Sequence, residues 1–539
     1  MPETIHDLKQ NRSFTALRSS NRSSIDRYTG DATQSTASTG TLTIRYNAAA
    51  KSYTVDTIGG TTTFTPADIT NQDDGFHTYR KGTVSSEKQM ILLRESLDES
   101  AGPQNVAMGL LQQSDLREHE LDMVSDVFVY GFSAPATAVP RTGTGRFIIN
   151  VLGFSTTLGY EPHLFGGMGN FDLDFGTGIF STRTELLETG LLTGIENSGT
   201  GFELNGTGRL SSTNGTFSGQ ITYSGIAGNI PGTITGGFYG SDARELGATF
   251  SATDGNGTTV AGGMTGEWVS TTPSVNLTLT KLSYSEIIET DHAHMLSGTG
   301  EPRVGESEFT LHPNGSTSFT SSISSLSSVT LTSANQATAA NANFNAYEKT
   351  TNGQTVRLET YKVGQENTEL KLTYASFGQW QSAPQGSPLA DGERVFFAYG
   401  LRTPEGALTL RTGSGRYEGV AHGTAFNTVS HNRYNVSGTS SFDVNFSTKA
   451  YSGNLALTGT ATSGSGQINF GTYQFGGQID EKNRMYTGLT QSGDFVGSMQ
   501  AGFYGPNGEE IAGAFGITAT DASTNDIISI VGATVATQR

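Results

Sequence analysis

The sequence predicts an all-β protein that is built from two copies of one lobe. Short runs in which apolar and polar residues alternate recur along the chain, as in Thr41 to Tyr46 and Phe171 to Phe175. The 70 glycines among 539 residues fall largely between such runs, together with Asn, Asp and Ser. Alternation with a period of two, bounded by these turn residues, is typical of strands and hairpins. In addition, a series of motifs returns roughly 270 residues further along.

Composition excludes several classes of function. With 50 acidic and 32 basic side chains the formal charge is −18, which disfavours binding to nucleic acid or to anionic lipid. The absence of cysteine excludes disulfides, thiolate metal sites, iron–sulfur clusters and cysteine nucleophiles. The apolar stretches are far shorter than the roughly 20 residues of a membrane-spanning helix, so we expect no transmembrane segment. The start, Met1 to Thr4, has no basic or apolar region that would indicate a secretory signal.

The first segment, residues 1–35, is polar with scattered apolar side chains. This pattern predicts a flexible N-terminal tail that could strap a neighbouring copy. Helical periodicity is scarce in the rest of the chain. The two best candidates for helices are Ser86 to Glu99 and Leu110 to Met123.

Five motifs repeat in the same order along both halves of the chain, which indicates a tandem duplication. The pairs are Phe76 to Lys81 with Phe344 to Lys349, Phe128 to Gly131 with Phe397 to Gly400, Arg141 to Phe147 with Arg411 to Tyr417, Phe171 to Phe175 with Phe442 to Phe446, and Gly237 to Gly240 with Gly502 to Gly505. Chance does not keep such an order at nearly constant spacing. The sequence therefore predicts one lobe over residues 36–285 and another over residues 286–539.

Each predicted lobe divides again into two parts that differ in charge, strand spacing and glycine content. Its first part carries more charge and irregular spacing, and its last part is dense in glycine and short, even strands, which favours a barrel or sandwich. The predicted parts are residues 36–135, 136–285, 286–394 and 395–539. In the run from Phe171 to Phe175 the aromatic and leucine side chains face a core, so we expect Asp172 and Asp174 to face solvent.

The last hairpin of each lobe is the most specific pattern. It runs from Gly236 to Phe250 in one copy and from Ala501 to Phe515 in the other. An aromatic strand enters a tight turn, where Pro506 suits the second turn position. Gly247 lies in the return strand, where a missing side chain allows a close approach of other groups. We interpret this hairpin as architecture that closes a barrel.

This hairpin, with its Gly-Phe-Tyr-Gly, resembles the closing hairpin of the transferrin-binding protein B family of Gram-negative bacteria. The resemblance extends over most of residues 40–539, because the aromatic-Tyr-Gly strands near residues 130 and 400 and the Gly-x-Gly-Arg strands that follow fit as well. It implies two lobes, each with a β-rich handle domain followed by an eight-stranded antiparallel β-barrel. The family also implies a surface-exposed outer-membrane lipoprotein that captures host iron carriers or haem proteins. This chain shows neither the signal peptide nor the lipobox cysteine of the family, so lipid anchoring stays open. It has no match to the family's ligand-binding loops, so the ligand cannot be carried over.

Few residues suggest a metal site. His292 and His294 would share a face of an extended segment and could hold a metal, but the run from Glu289 to His294 is better explained as a solvated linker. His119-Glu120 is a surface pair without a second histidine. The runs Asp73-Asp74-Gly75 and Asp254 to Gly257 are turn sequences first, with calcium binding as the alternative. We predict no metal site and no cofactor.

No catalytic set is visible either. The chain has no Gly-x-Ser-x-Gly elbow, and Gly143-Thr144-Gly145 opens a strand, not the helix of a nucleotide site. A glycosidase-like carboxylate pair stays open but unsupported. Trp380, with Phe377 and Tyr374 at a spacing of three, favours core packing, with a stacking platform for a flat ligand as the alternative. The ligand-binding residues stay unknown.

The sequence thus predicts a non-enzymatic ligand-capture protein on the outer-membrane surface or secreted. It would bind a protein or small molecule, iron- or haem-related or another nutrient, through the loops of handle and barrel, first of all those of the N-terminal lobe. The alternative is a structural subunit of a surface layer, filament or phage-like particle, which predicts self-association. An integral outer-membrane barrel and an enzyme are less well supported.

Overall fold

The fold was analysed on a computed structural model of the chain. The residues that it describes are 3–57, 60–72, 75–93, 104–197, 201–226, 228–295, 302–320, 329–404, 407–408, 411–463, 466–520, 524 and 526–539. The chain forms two compact units, Met1–Leu277 and Thr278–Arg539. Each unit consists of a nine-stranded antiparallel sheet followed by an eight-stranded barrel, as far as the described residues extend. We call the nine-stranded sheet of each unit its handle sheet.

The first handle sheet has the order β4-β3-β2-β1-β9-β8-β7-β6-β5. Its strands are β1 Arg12–Asp26, β2 Ala32–Asn47, β3 Ser52–Thr57, β4 Gly60–Phe64, β5 Ile69–Gln72, β6 Phe76–Thr83, β7 Ser86–Leu93, β8 Val106–Leu116 and β9 Glu120–Gly131, with a 3₁₀ turn at Pro66–Asp68.

The first barrel is a ring that closes where β11 pairs with β12, while the short β13 pairs only with β12. Its strands are β10 Thr144–Thr157, β11 His163–Asp174, β12 Ile179–Gly190, β13 Glu196–Asn197, β14 Glu203–Leu210, β15 Thr216–Gly225, β16 Gly228–Tyr239, β17 Glu245–Thr253 and β18 Thr258–Ser270.

The second unit repeats this order. Its handle strands are β19 Glu286–Met295, β20 Arg303–Leu311, β21 Thr317–Thr320, β22 Val329–Leu331, β23 Gln336–Ala337, β24 Phe344–Thr351, β25 Gln354–Tyr361, β26 Ala375–Pro384 and β27 Glu393–Gly400, with 3₁₀ turns at Ser333–Asn335, Gly364–Glu366 and Leu389–Asp391. Its barrel strands are β28 Ser414–Asn427, β29 Arg433–Asn445, β30 Ala450–Ala461, β31 Gln467–Gln478, β32 Arg484–Gln491, β33 Asp494–Tyr504, β34 Glu510–Thr520 and β35 Ile527–Gln538.

The predicted fold class is confirmed: the protein is all-β, and the two units carry the same sequence of handle sheet and barrel. The division between the units falls at Leu277/Thr278, and the finer domain bounds stay a prediction. The two helices expected from the sequence are wrong. Ser86–Leu93 is strand β7, and the segment from Leu110 to Met123 spans a hairpin of β8 and β9, because its apolar residues pair across strands.

The predicted flexible tail is also wrong. Residues 12–26 form β1, an interior strand of the first handle sheet that pairs with β2 and β9. Its polar side chains are buried against the first barrel: the Ser19 hydroxyl donates to the Phe250 carbonyl at 2.6 Å, and Asn21 accepts from the Thr156 hydroxyl at 3.0 Å. The sequence of β1 is rich in Ser and Arg, as a disordered segment would be, because the face that it buries is polar. This polar composition is therefore mistaken for that of a flexible tail.

The barrels enclose packed cores of aromatic and aliphatic side chains. In the first barrel Phe171 stacks on Phe180 with ring centroids 4.6 Å apart, and both side chains are fully buried. In the second barrel Phe442 and Phe475 pack with centroids 5.0 Å apart. Each such ring removes on the order of 200 Å² from water. The handle sheets bury separate apolar clusters of their own.

One carboxylate in each closing hairpin joins the barrel to its handle sheet. In the second unit Glu510 is buried and accepts the backbone N–H groups of Thr373, Tyr374 and Ala375 at 2.7–2.9 Å. In the first unit the buried Glu245 accepts the corresponding N–H groups at the start of β8. Beside this junction Gly247 leaves space for Val129, because a Cβ there would lie 2.5 Å from the valine methyl group. The repeated hairpin therefore fixes the handle sheet as well as closing the barrel.

The expectation that Asp172 and Asp174 face solvent is wrong. Both side chains are buried. Asp172 accepts the backbone N–H of Ser274 at 2.9 Å, since the segment after the barrel lies across it, and Asp174 accepts from the turn N–H groups of Gly176 and Thr177. Burial raises the pKa of Asp172.

Replacement of the junction carboxylate should destabilise the second unit. We expect Glu510→Ala to lower the free energy of unfolding by about 2–4 kcal/mol, because three buried N–H groups lose their acceptor. Denaturant unfolding followed by tryptophan fluorescence measures the change, since Trp380 lies in the second handle sheet. Glu481→Ala, at an exposed turn of the same barrel, is the control and should change stability by less than about 0.5 kcal/mol. Equal effects of the two variants would contradict the role of Glu510.

Candidate ligand-binding surface

Exposed apolar side chains gather at one end of the first unit. Successive connections of an antiparallel barrel alternate between its two ends, so the loops after β10, β12, β15 and β17 share one end. We call the exposed apolar residues of this end and of the adjacent turn between β1 and β2 the apolar patch: Tyr28, Leu158, Tyr160, Leu192, Ile195 and Ile226. Tyr28 is 78% exposed, Tyr160 61% and Ile195 61%.

Backbone hydrogen bonds tie the handle turn to the barrel loop after β10. The Ala32 N–H donates to the Tyr160 carbonyl and the Gly159 N–H donates to the Ala32 carbonyl, both at 2.9 Å. These two bonds hold the start of β2 against residues 158–160. Handle and barrel therefore present one continuous surface at this end of the first unit.

Glu161 orders the loop that carries Leu192. Its carboxylate accepts the backbone N–H groups of Leu192 and Thr193, the latter at 2.6 Å, and the Thr193 hydroxyl at 2.8 Å. Burial raises the pKa of Glu161, but the hydrogen bonds from Thr193 and Leu192 outweigh it, so that the pKa is lowered overall. The loop after β12 is held in shape by an ionised side chain of the neighbouring loop.

A second carboxylate shapes the turn that carries Tyr28. Asp26 accepts the N–H groups of Tyr28 and Thr29 at 2.7 and 3.0 Å, and the bond from Thr29, followed by that from Tyr28, lowers its pKa. The Tyr28 hydroxyl lies 3.3 Å from Nδ1 of His119, on the turn between β8 and β9. The predicted surface pair at His119 is thus on the surface, beside the apolar patch.

Two more carboxylates order the remaining loops of this end. Asp254 accepts the N–H groups of Asn256 and Thr258 at 2.8 and 2.9 Å, so the run from Asp254 to Gly257 is the turn that the sequence predicts. Beneath the patch Glu188 is buried and accepts the Tyr223 hydroxyl. Burial, followed by the charge of Glu188, raises the pKa of Tyr223 well above its ordinary value.

This arrangement suits recognition. Apolar side chains stand on short loops whose shape is fixed by internal hydrogen bonds, so that binding would cost little conformational entropy. An exposed apolar group of this kind marks interaction sites on soluble proteins.

The histidines singled out in the sequence lie elsewhere. His292 and His294 belong to β19 and are buried, with ring centroids 5.4 Å apart, so the interpretation as a solvated linker is wrong. Burial lowers the pKa of His292 to about 4. Among the described residues no group of three or more His, Asp or Glu side chains is placed to hold a metal ion. Asp73 and Asp74 lie outside the described residues.

Of the aromatic residues singled out in the sequence, Trp380 and Phe377 lie on opposite faces of strand β26. Trp380 is buried in the core of the second handle sheet and stacks on Phe319 at 5.1 Å between centroids. Phe377, on the opposite face of β26, stacks on Tyr361 and on His422 of the barrel. Trp380, Phe377 and Tyr374 are all buried, so core packing explains them. Gly143 and Gly413 immediately precede strands, as predicted.

The residues of the apolar patch did not stand out in the sequence. The six residues are spread over four separate connections, which only the folded unit brings together. The available signal was the position of Leu158-Gly159-Tyr160 and Leu191-Leu192 at turns between strand patterns, where apolar residues are unusual.

Comparison with known proteins agrees with this architecture for the second barrel. Residues 409–537 match the family described as the C-lobe and N-lobe beta barrels of Tf-binding protein B. The second barrel is thus similar to the barrels of the transferrin-binding protein B family. Transferrin-binding protein B of Haemophilus influenzae (strain 86-028NP) is 28% identical over 173 residues, which is 29% of this chain and 26% of the relative. The resemblance drawn from the closing hairpins is confirmed.

Solved structures of transferrin-binding protein B also align with this chain. A transferrin-binding protein B double mutant from Haemophilus parasuis has 15% identity and a TM-score of 0.30, over 83% of this chain and 85% of that one. Isotype 1 transferrin-binding protein B from Neisseria meningitidis has 14% identity and a TM-score of 0.28, over 87% and 88%. No helix in the described part of this chain is long and apolar enough to cross a membrane.

Loss of the Glu161 carboxylate should loosen the loop after β12 alone. We expect Glu161→Ala to speed amide hydrogen exchange at Leu192 and Thr193 by roughly tenfold or more, because both N–H groups lose their acceptor. The midpoint of global unfolding should stay nearly constant. Glu185→Ala, on β12 below the loop, is the control. Unchanged exchange at Leu192 would show that Glu161 does not order the patch.

The buried histidines should make the second unit sensitive to acid. The pKa of His292 is lowered in the folded state, so its contribution to stability is complete above about pH 6.5 and is lost as the pH falls toward about 4. Between these values we expect His292→Leu to remove about 3 kcal/mol of acid destabilisation. Unfolding measured from pH 7.5 to 4 checks this, with His312→Gln as the control on a handle turn. A parallel pH dependence of wild type and His292→Leu would contradict it.

Proposed function

We propose that the protein is a non-enzymatic ligand-capture protein that binds its ligand through the apolar patch of the first unit. The observation that carries this proposal is the continuous surface of handle and barrel loops, in which Asp26 and Glu161 order the segments that carry Tyr28 and Leu192. The match of the second barrel to the barrels of transferrin-binding protein B supports it. The relatives are named for binding transferrin, and a folded protein of this kind offers a surface large enough to cover the patch.

Position on the outer-membrane surface, or secretion, is part of the same proposal. The ligand class is an extracellular protein, with an iron- or haem-related cargo as the nutrient. The acidic character of the chain, with a net charge of −18, favours a ligand whose contact surface is basic or apolar. Binding needs no catalytic residue and no cofactor.

The alternative of a structural subunit has lost one of its arguments. It was supported by a polar arm of 35 residues that could strap a neighbouring copy. That arm contains β1, which is an interior strand of the first handle sheet between β2 and β9, so the strand is bound within its own unit.

Charged substitutions in the patch should abolish capture. We expect Tyr160→Asp with Leu192→Asp to weaken binding of iron-loaded serum transferrin, or of another protein captured from serum, by at least about tenfold. Both side chains are more than half exposed, so the fold should be retained. Biolayer interferometry on immobilised protein, with native mass spectrometry of the captured species, measures the effect.

The matched control lies at the corresponding end of the second barrel. Val429→Asp with Ile527→Asp introduces the same two charges at exposed apolar positions and should leave capture unchanged. Equal loss in both double variants would point to a general effect of charge. If the wild type captures nothing and instead forms regular oligomers, the capture proposal is wrong and the structural alternative is favoured.

A further inference from the structure

The fourth and fifth strands of the two barrels are paired in different ways. In the first barrel β14 and β15 form a ladder of eight residue pairs, from Glu203↔Ser224 to Leu210↔Phe217. In the second barrel the corresponding strands, β31 and β32, share a single bridged pair, Gln474↔Thr490. We call the boundary between β31 and β32 the seam.

The strands of the seam are paired along nearly their whole length on their other sides. β31 pairs with β30 over eleven residues, and β32 pairs with β33 over eight. Both strands are therefore held in the barrel by their other neighbours, although each of these two ladders contains one register shift. These two shifts coincide with the seam: one between Leu457 and Thr458, where Gly471 of β31 has a φ of +86°, and one between Leu489 and Thr490 of β32. Bulges of this kind bend a strand away from its neighbour.

Side chains take the place of the missing ladder. The Thr487 hydroxyl donates to the Gly476 carbonyl at 3.0 Å and accepts from the Gly476 N–H at 3.3 Å. The Thr490 hydroxyl donates to the Gln474 carbonyl at 3.3 Å, and the Gln491 amide donates to the Phe470 carbonyl at 2.8 Å. Rotation of these three side chains would free the backbone groups of β31 for another partner.

The seam also lacks the usual protection of a strand edge. Natural edges carry charges or proline that prevent the addition of a foreign strand. β31 has no charged residue and no proline, and β32 has only Arg484 at its first position, in a chain with a net charge of −18. Next to the seam Phe495 is 72% exposed and lies over Gly488, which offers an apolar contact to the side chain of an added strand.

We propose that the seam of the second barrel is a binding site for an extended polypeptide segment of a partner protein, which adds to β31 as a further strand. The backbone of the segment would satisfy the N–H and C=O groups along β31, with affinity from main-chain hydrogen bonds and selectivity from alternate side chains. The neutral, Gln-, Thr- and Gly-rich lining favours an uncharged segment with aromatic or β-branched side chains. This site is separate from the apolar patch and does not depend on the proposed function.

Hydrogen exchange of the full-length protein is the first test. We expect the amides of β31 and β32 that face the seam to exchange at least about tenfold faster than those between β14 and β15, which serve as the internal control. A peptide with the sequence of Thr216–Gly225 is the probe, because this strand fills the equivalent ladder in the first barrel. Its addition should slow exchange at the seam. Seam amides that are as protected as those of β14 and β15, or a peptide without effect, would overturn the proposal.

A reversible cross-link then tests the position of the site. Because the chain has no cysteine, Gln474→Cys with Thr490→Cys introduces a single disulfide across the one bridged pair. The oxidised variant should lose protection by the peptide and the reduced variant should regain it. Protection that persists in the oxidised form would place the peptide elsewhere and overturn the proposal. Protection that rises with protein concentration in the absence of peptide would identify a second copy as the occupant and overturn it as well.

A pair of threonine variants keeps the test informative if the cross-link disturbs folding. Thr487→Val removes the hydroxyl that bridges the seam and should strengthen peptide binding about threefold or more. Thr207→Val removes a similar hydroxyl bond, to the Phe180 carbonyl across the intact β12–β14 ladder of the first barrel, and should not change binding. Equal affinities of the two variants would contradict a role of the seam.

Discussion

The attachment of each handle sheet to its barrel depends on one buried carboxylate. Glu245 and Glu510 each collect three backbone N–H groups at the start of a handle strand. A buried charge is tolerated only where hydrogen bonds replace its hydration. Burial raises the pKa of Glu510 to about 7, against the lowering effect of the bonds from Tyr374, Thr373 and Ala375. The hairpin motif repeats in the sequence because it has two tasks, to close the barrel and to present this acceptor.

The same chemistry orders the loops of the apolar patch. The carboxylates of Asp26, Glu161 and Asp254 accept hydrogen bonds from backbone N–H groups of turns and loops. An excess of acidic side chains in this chain is therefore in part a means of fixing loop shape without cysteine. Since the carboxylates are occupied internally, the exposed part of the patch is dominated by Tyr, Leu and Ile side chains, which suits contact with a protein surface.

The tandem duplication and most of the strands could be predicted from the sequence. The order of five motifs gave the duplication, and period-two runs such as Phe171 to Phe175 gave the strands. Prediction from the sequence failed where burial is polar or depends on distant segments. Ser19 and Asn21 of β1 are buried by bonds to β17, β10 and β18, more than 130 residues away, and Asp172 is covered by Ser274. Likewise, the patch exists only when four separate connections meet, which no local pattern records.

The two copies also show where the duplicated units have diverged. At the contact of handle sheet and barrel the first unit places Met108 and Leu152 in an apolar cluster, whereas the second places Phe377 and His422 there, with His422 3.1 Å from Glu369. The hydrogen bond with His422 lowers the pKa of Glu369, and this effect is larger than the opposing effect of burial. The second unit thus replaces apolar contacts by polar ones at its junction, and backbone pairing by side-chain bonds at its seam. Breaking a few side-chain hydrogen bonds costs less free energy than separating a packed apolar contact or a complete backbone ladder, so these bonds can be replaced by bonds to another partner. If the first unit is specialised for a rigid surface, the second has retained the features that allow a strand to open.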